Sequence, residues 1–355
     1  MLSGLFLISV SSALMWAGTA QYASVDVKKE SMSLDDAKMF PVVGSGVLVG
    51  LFFALRYFPK DLVNTIFRAI FSITGTFSMY KALKIAYSYV GARASLQKPS
   101  KEKTDEKTAP KQEGAAKKEA KEKAEEKEAE AKKENKPESL GFIANTWASF
   151  KSELAESADE IKEIFRSYAQ EFREMPNGLL FVASILISVW YFKTKSMHSS
   201  NILACSFALM GMQEIRPESA MTAMVLLGLL FFYDIFWVFF TPVMMGVAKG
   251  LEIPIKIVYP FSRKGTSMIG LGDIVIPGLF LSLAREFSHK YSAPLVFALG
   301  YVGYVLSLVL TFSAVLIFGT GQPALLYICP IIVAGSLVGA AIHKRTRQFI
   351  EYKSE

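Results

Sequence analysis

Histidine, cysteine and evenly spread charge are scarce in this 355-residue chain. Its three histidines (His198, His289, His343) are scattered, with no H-E-x-x-H pair to hold a catalytic metal. Its two cysteines, Cys205 and Cys329, both sit in apolar runs, so neither a disulfide framework nor a cysteine-based zinc site is expected. No metal and no other cofactor is called for. Charge is abundant only in residues 98–136, which hold 13 Lys and 11 Asp/Glu. What remains is too apolar for one water-soluble core. A net charge of +7 raises the question of nucleic acid, but the charged stretch is nearly balanced. The excess sits at the ends of apolar runs, as on membrane flanks, so no nucleic-acid partner is expected. The composition is that of an all-α polytopic membrane protein whose first partner is the lipid bilayer.

Nine apolar stretches approach the length needed to cross a bilayer: about 2–20, 39–58, 62–86, 177–193, 199–213, 219–245, 266–284, 293–318 and 322–342. The last pair is sharply marked, because Tyr291 to Ile342 contains no Asp, Glu, Lys or Arg. Residues 1–20 also have the apolar body of a signal peptide, with Gly18-Thr19-Ala20 as a cleavage site. They lack its positive n-region, which favours an uncleaved span. The division expected is a three-span unit over 1–94, a charged linker over 95–138, an amphipathic segment over 139–176, a six-span unit over 177–342 and a tail over 343–355. Lys and Arg favour the loops on one side, which implies a lumenal N-terminus and a cytosolic C-terminus.

The stretch 95–138 is rich in Lys, Glu and Ala and has no aromatic residue, so it reads as a solvated cytosolic linker. Beyond it, Trp147, Phe150, Leu154, Ile161, Ile164, Tyr168 and Phe172 recur at helical spacing. That pattern predicts an interfacial amphipathic helix, with a coiled-coil partner helix as the alternative.

Two acids stand where acids are expensive. Asp234 is the only charge between Ala220 and Ala248, and Asp273 the only one between Gly265 and Ala284. An ionised Asp near the bilayer centre costs about 2.5–3.5 kcal/mol on insertion scales, and such residues usually mark function. Gly270 and Gly272 leave room for another backbone to approach Asp273, and Pro277-Gly278 interrupts ideal helix beyond it. Facing carboxylates share one proton, so one can serve as base while the other serves as acid. The same pair suits a proton-coupled transporter or an ion-leak pathway. A third alternative is a non-catalytic protein that binds membrane helices for quality control.

Tyr233-Asp234, Gly270-Leu271-Gly272-Asp273 and Pro323-Ala324-Leu325 stand in that order on the sixth, seventh and ninth stretches. They resemble the YD, GxGD and PAL motifs of the presenilin/signal peptide peptidase family. The runs YDIFWVFF, VAKGLEIPIKIVYP, GLGDIVIPG and QPALLY are most similar to its signal peptide peptidase branch, over roughly residues 220–330. The resemblance implies a presenilin-like bundle of about nine helices and intramembrane aspartyl proteolysis by Asp234 and Asp273. Tyr233, Gly270, Leu271, Gly272, Pro323, Ala324 and Leu325 would support the site or touch substrate. It further implies substrates that are transmembrane helices with a cytosolic N-terminus, such as signal-peptide remnants, and residence in the endoplasmic reticulum membrane. A homo-oligomer and quality-control partners stay open.

Ile253 to Pro260 is rich in β-branched residues and bounded by prolines, so it reads as extended chain. A helical substrate must unwind before its peptide bonds can be attacked. Ile255, Ile257 and Val258 are therefore expected to pair with the unwound segment as an added strand.

Overall fold

The computed structural model describes residues 2–22, 30–96, 177–261, 265–319 and 321–354. The linker expected over 95–138, apart from residues 95 and 96, and the amphipathic helix expected over 139–176 lie outside the described residues. In chain order the elements are α1 (Leu2–Tyr22), β1 (Glu30–Met32), α2 (Leu34–Tyr57), α3 (Lys60–Leu96), α4 (Asn177–Thr194), α5 (Met197–Glu214), β2 (Ile215–Pro217) and α6 (Ala220–Phe239). They continue with α7 (Val243–Gly250), β3 (Lys256–Phe261), β4 (Gly265–Gly270), α8 (Gly272–Lys290), α9 (Pro294–Phe318), α10 (Leu325–Ile342) and α11 (Thr346–Ile350). One compact unit comprises Met1–Tyr89 and Leu179–Glu355; the second, Val90–Gly178, is described only where α3 enters it and α4 leaves it.

Six of the described helices (α1, α2, α4, α6, α9 and α10) are long and apolar enough to cross a membrane. Their outer faces carry large apolar side chains, with Ile317 77% and Phe232 69% exposed. Patches of that kind suit lipid and would be a liability in water.

Two of the expected spans are broken differently in the structure. The stretch 219–245 stops being one helix at Phe239, because Pro242 has no N–H to continue the ladder. It restarts there as the short α7. The stretch 266–284 is helical only from Gly272. Its first residues form β4, which pairs antiparallel with β3 from Lys256↔Gly270 to Phe261↔Gly265. Short apolar runs carry no periodicity that separates strand from helix, which is why the sequence reads as one span.

The core is built around α8. Residues Ile276 to Ala284 are buried without a break, and α1, α5, α6, α9 and α10 all pack on this helix. A helix apolar on every side is one that belongs in the middle. Over Gly278, Met212 of α5 and Met15 of α1 fill the space a side chain would take; a Cβ there would stand 3.5 Å from the Met15 sulfur.

The helices α9 and α10 approach even more closely, through small residues. A Cβ on Gly335 would lie 2.7 Å from the Leu299 carbonyl oxygen, and one on Gly303 would lie 3.1 Å from that of Ile331. Backbone meets backbone, the usual route to helix association where lipid removes the hydrophobic driving force. Gly319 ends α9 in the left-handed region (φ 67°), a conformation glycine takes without a Cβ penalty.

Residues 346–354 are packed against the bundle. Phe349 is fully buried against Phe287, with ring centroids 5.1 Å apart. The Tyr352 hydroxyl donates to Glu286 Oε1 at 2.8 Å, and the same oxygen accepts from Arg216 Nη2 at 2.6 Å. The Tyr352 carbonyl accepts the Ala220 N–H at 2.9 Å, at the start of α6. Nearby, β1 and β2 pair in parallel, from Glu30↔Ile215 to Met32↔Pro217.

Candidate active site

The inward stripe of α6 runs Ala223, Leu226, Leu227, Leu230, Asp234, Trp237, at helical spacing. Asp234 thus occupies a position where the pattern calls for a core side chain. It is 5% exposed, and its Oδ2 accepts the Leu325 N–H at 3.0 Å. Leu325 is the first residue of α10, so this donor has no partner within its own helix. The dipole at the helix start favours a negative charge there. The YD and PAL segments are therefore joined by a hydrogen bond that no side-chain pattern announces.

Asp273 stands in the first turn of α8, directly after β4, and not in the middle of a span. Strand and helix meet at Gly270-Leu271-Gly272, and the Leu271 N–H is held by the Ile255 carbonyl at 2.9 Å. A Cβ on Gly270 would stand 3.4 Å from Asp273 Oδ2, so this glycine does leave room beside the acid. Gly272 meets nothing within 4 Å, and close backbone approach does not account for it. The two carboxyl groups are near enough for their charges to interact.

Two further residues surround the pair, and the sequence offered no signal for either. Tyr304 of α9 is fully buried and its hydroxyl donates to the Asp273 carbonyl at 3.3 Å. Cys329 lies one turn into α10, buried within electrostatic reach of both acids.

Tyr233 faces α2, where a Cβ on Gly44 would stand 3.4 Å from its hydroxyl oxygen. Pro323 is buried just ahead of α10, and Ala324 is the residue that leads into the helix. Among the described residues, no three His, Cys, Asp or Glu side chains converge as a metal-binding group would require.

The expected extended segment is present as β3, but its backbone is already engaged. Asn201 of α5 donates from Nδ2 to the Val258 carbonyl at 2.7 Å and accepts the Val258 N–H on Oδ1 at 2.9 Å. The Ile255 carbonyl is taken by Leu271, and Ile257 is 1% exposed. Ile255, Ile257 and Val258 are thus not a free edge for an added strand. Because Val258 points its polar groups away from β4, its partner Met268 must point its own away from β3. Among the described residues, the outer edge of the pair that stays open is that of β4 at Thr266 and Met268, since the Gly270 N–H is held by the Asp273 carboxyl.

The segment leading into β3 is pinned by polar side chains from other helices. Asn64 of α3 donates to the Gly250 carbonyl at 3.2 Å and accepts the Glu252 N–H at 3.1 Å. Lys256 Nζ donates to the Ala248 and Leu251 carbonyls, capping the end of α7. Burial lowers the pKa of that ammonium group.

A family model described as "Signal peptide peptidase" matches residues 24–355. Over 185 residues the chain is 40% identical to a probable intramembrane protease of Schizosaccharomyces pombe, covering 49% of this chain and 63% of that relative. It is 37% identical over 179 residues to the signal peptide peptidase of Mus musculus, covering 48% of this chain and 47% of the relative. Intramembrane protease 2 of Caenorhabditis elegans matches at 38% over 175 residues, or 43% and 37% of the two chains. The matched regions span less than two thirds of each of these relatives. No solved structure matches the chain.

Proposed function

The chain belongs to the signal peptide peptidase family, and from that premise we propose that it is an intramembrane aspartyl endopeptidase with Asp234 and Asp273 as its catalytic pair. The observation that carries this reading is the meeting of two acids from separate helices at one enclosed spot, with a backbone N–H on each of them. Two such carboxyls hold one proton between them. Both carboxyls accept a backbone N–H, Asp234 from Leu325 and Asp273 from Gly270, so either can stand as the charged partner; Asp234 is assigned as the base and Asp273 as the proton carrier.

The chemistry then balances without a covalent intermediate. Water attacks the scissile carbonyl carbon, its proton passes to Asp234, and the Asp273 proton goes to the carbonyl oxygen. The resulting gem-diol returns a proton to Asp273 as the C–N bond breaks. Asp234 gives its proton to the leaving amine.

The substrates are transmembrane helices with a cytosolic N-terminus, such as signal-peptide remnants, and the compartment is the endoplasmic reticulum membrane. The unwound part of the substrate adds to the outer edge of β4, which ends two residues before Gly272-Asp273 on the path to the acids. Pro323, Ala324 and Leu325 form the opposite wall.

The test is cleavage of a labelled signal-peptide helix by detergent-purified protein, comparing wild type with Asp234→Ala and Asp273→Ala. Cutting within the helix by wild type, abolished in each variant, is the expected result. Equal turnover by folded wild type and variants would overturn the assignment.

A further inference from the structure

The two strands beside the acids have unlike edges, and the difference is built in by side chains. Register makes Lys256, Val258 and Pro260 the residues of β3 whose backbone groups face away from β4. Pro260 has no N–H to offer an incoming strand. At Val258 both polar groups are already satisfied, donor and acceptor at once, by the single carboxamide of Asn201. A carboxamide has the same donor–acceptor pair as a peptide unit, so Asn201 stands where the next strand's backbone would be. It is offered from α5, with Phe6 of α1 lying over Tyr259 on the same strand (ring centroids 4.5 Å). On β4 the outward positions Thr266 and Met268 keep an N–H for an incoming strand, and Met268 is 37% exposed, while the Gly270 N–H is held by the Asp273 carboxyl. Sheets guard unwanted edges with such devices.

We infer that Asn201 is a positioning residue that closes β3 to substrate and leaves β4 as the single docking edge, so fixing the register in which the unwound chain reaches the acids. This rests on the proteolytic reading above. A strand added to β3 would lie across the sheet from β4 and present other peptide bonds to Asp234 and Asp273. A one-residue slip on either edge would exchange which side chains face the acids. Asn201 thus acts on where the enzyme cuts more than on how fast.

The experiment uses the full chain in detergent with a labelled signal-peptide helix, comparing wild type, Asn201→Leu and Asn201→Asp. The readouts are the masses of the cleavage products and amide hydrogen exchange at Val258 and Met268. Wild type should give one dominant cut, a protected Val258 amide before substrate is added, and protection gained at Met268 on adding it. Asn201→Leu should lose Val258 protection, regain it only with substrate, and yield products displaced from the wild-type cut. Asn201→Asp keeps an acceptor for the Val258 N–H but no donor for its carbonyl. It should hold Val258 protected while releasing a smaller share of displaced products. Unchanged product masses from folded Asn201→Leu, with Val258 unprotected throughout, would overturn the inference and leave the protease standing. Absence of cleavage and of Met268 protection in wild type would instead overturn the protease reading, and the inference with it.

Discussion

The two flanks of α6, the helix that carries Asp234, are packed by opposite rules. On one side stand α8 and α10, the latter locked to α9 by glycines whose missing side chains let backbone touch backbone. On the other stands α2, whose only buried residue is Ala37 and whose Gly46 and Gly50 meet nothing within 4 Å. It lies along α6 through side chains that stay part-exposed, with Tyr233 beside Gly44 and Trp237 Nε1 donating to Ser45 Oγ at 3.3 Å. The locked flank fixes the Leu325 N–H and the Asp273 turn. The loose flank makes neither of those contacts.

The largest expected effect lies where the locked flank meets the acids. Asp273→Asn keeps the size of the side chain and removes the shared proton's second seat. Cleavage of a labelled helix should fall to background while the thermal midpoint of the purified protein stays near wild type. Gly335→Leu comes next, driving a side chain into the Leu299 carbonyl. Overpacking of this kind typically costs about 1–3 kcal/mol or more, read as a lowered unfolding midpoint or loss of the detergent-stable monodisperse peak. Gly46→Leu on the loose flank is the matching control, expected within about 0.5 kcal/mol of wild type because the site opens to empty space. If the two glycine variants were equally stable, the contrast between the flanks would fail.

Smaller effects sharpen the comparison. Tyr304→Phe removes the hydroxyl that holds the Asp273 carbonyl. A net hydrogen bond is worth about 0.5–1.5 kcal/mol, so kcat should drop roughly 2- to 10-fold with KM little changed. Trp237→Phe removes the tie to Ser45 on the loose flank. It should leave kcat within about 2-fold, since the net worth of one partly exposed bond is small. A larger loss there than in Tyr304→Phe, measured on the same substrate, would show that the loose flank also positions the acids.

Legibility in the sequence follows the same division. The ends of α9 and α10 fall within about three residues of the expected 293–318 and 322–342, because an uncharged run split by Gly319-Thr320-Gly321 leaves little else to choose. The Asp234 and Asp273 pair is legible for the reverse reason: an isolated charge in an apolar run is conspicuous. What stays hidden is whatever is carried by backbone. The Leu325 N–H has no side-chain signature, and β4 looked like the first turns of a helix because Met268 and Ile269 are apolar in either state. Asn201 was hidden in a stretch read only for its hydropathy, and its partner Val258 was expected to be the open edge it closes.

The hydrogen bond from the Ala220 N–H to the Tyr352 carbonyl has a reach beyond the end of the bundle. Fourteen residues separate Ala220 from Asp234 along one unbroken helix, about 21 Å at 1.5 Å per residue. The segment 346–354 is therefore a foot-plate for α6: it sets how far the rod stands along its own axis, and with it the height at which the carboxylate is presented. A perturbation at Tyr352 is a perturbation of elevation, felt at the far end of a lever that nothing near the acids would betray.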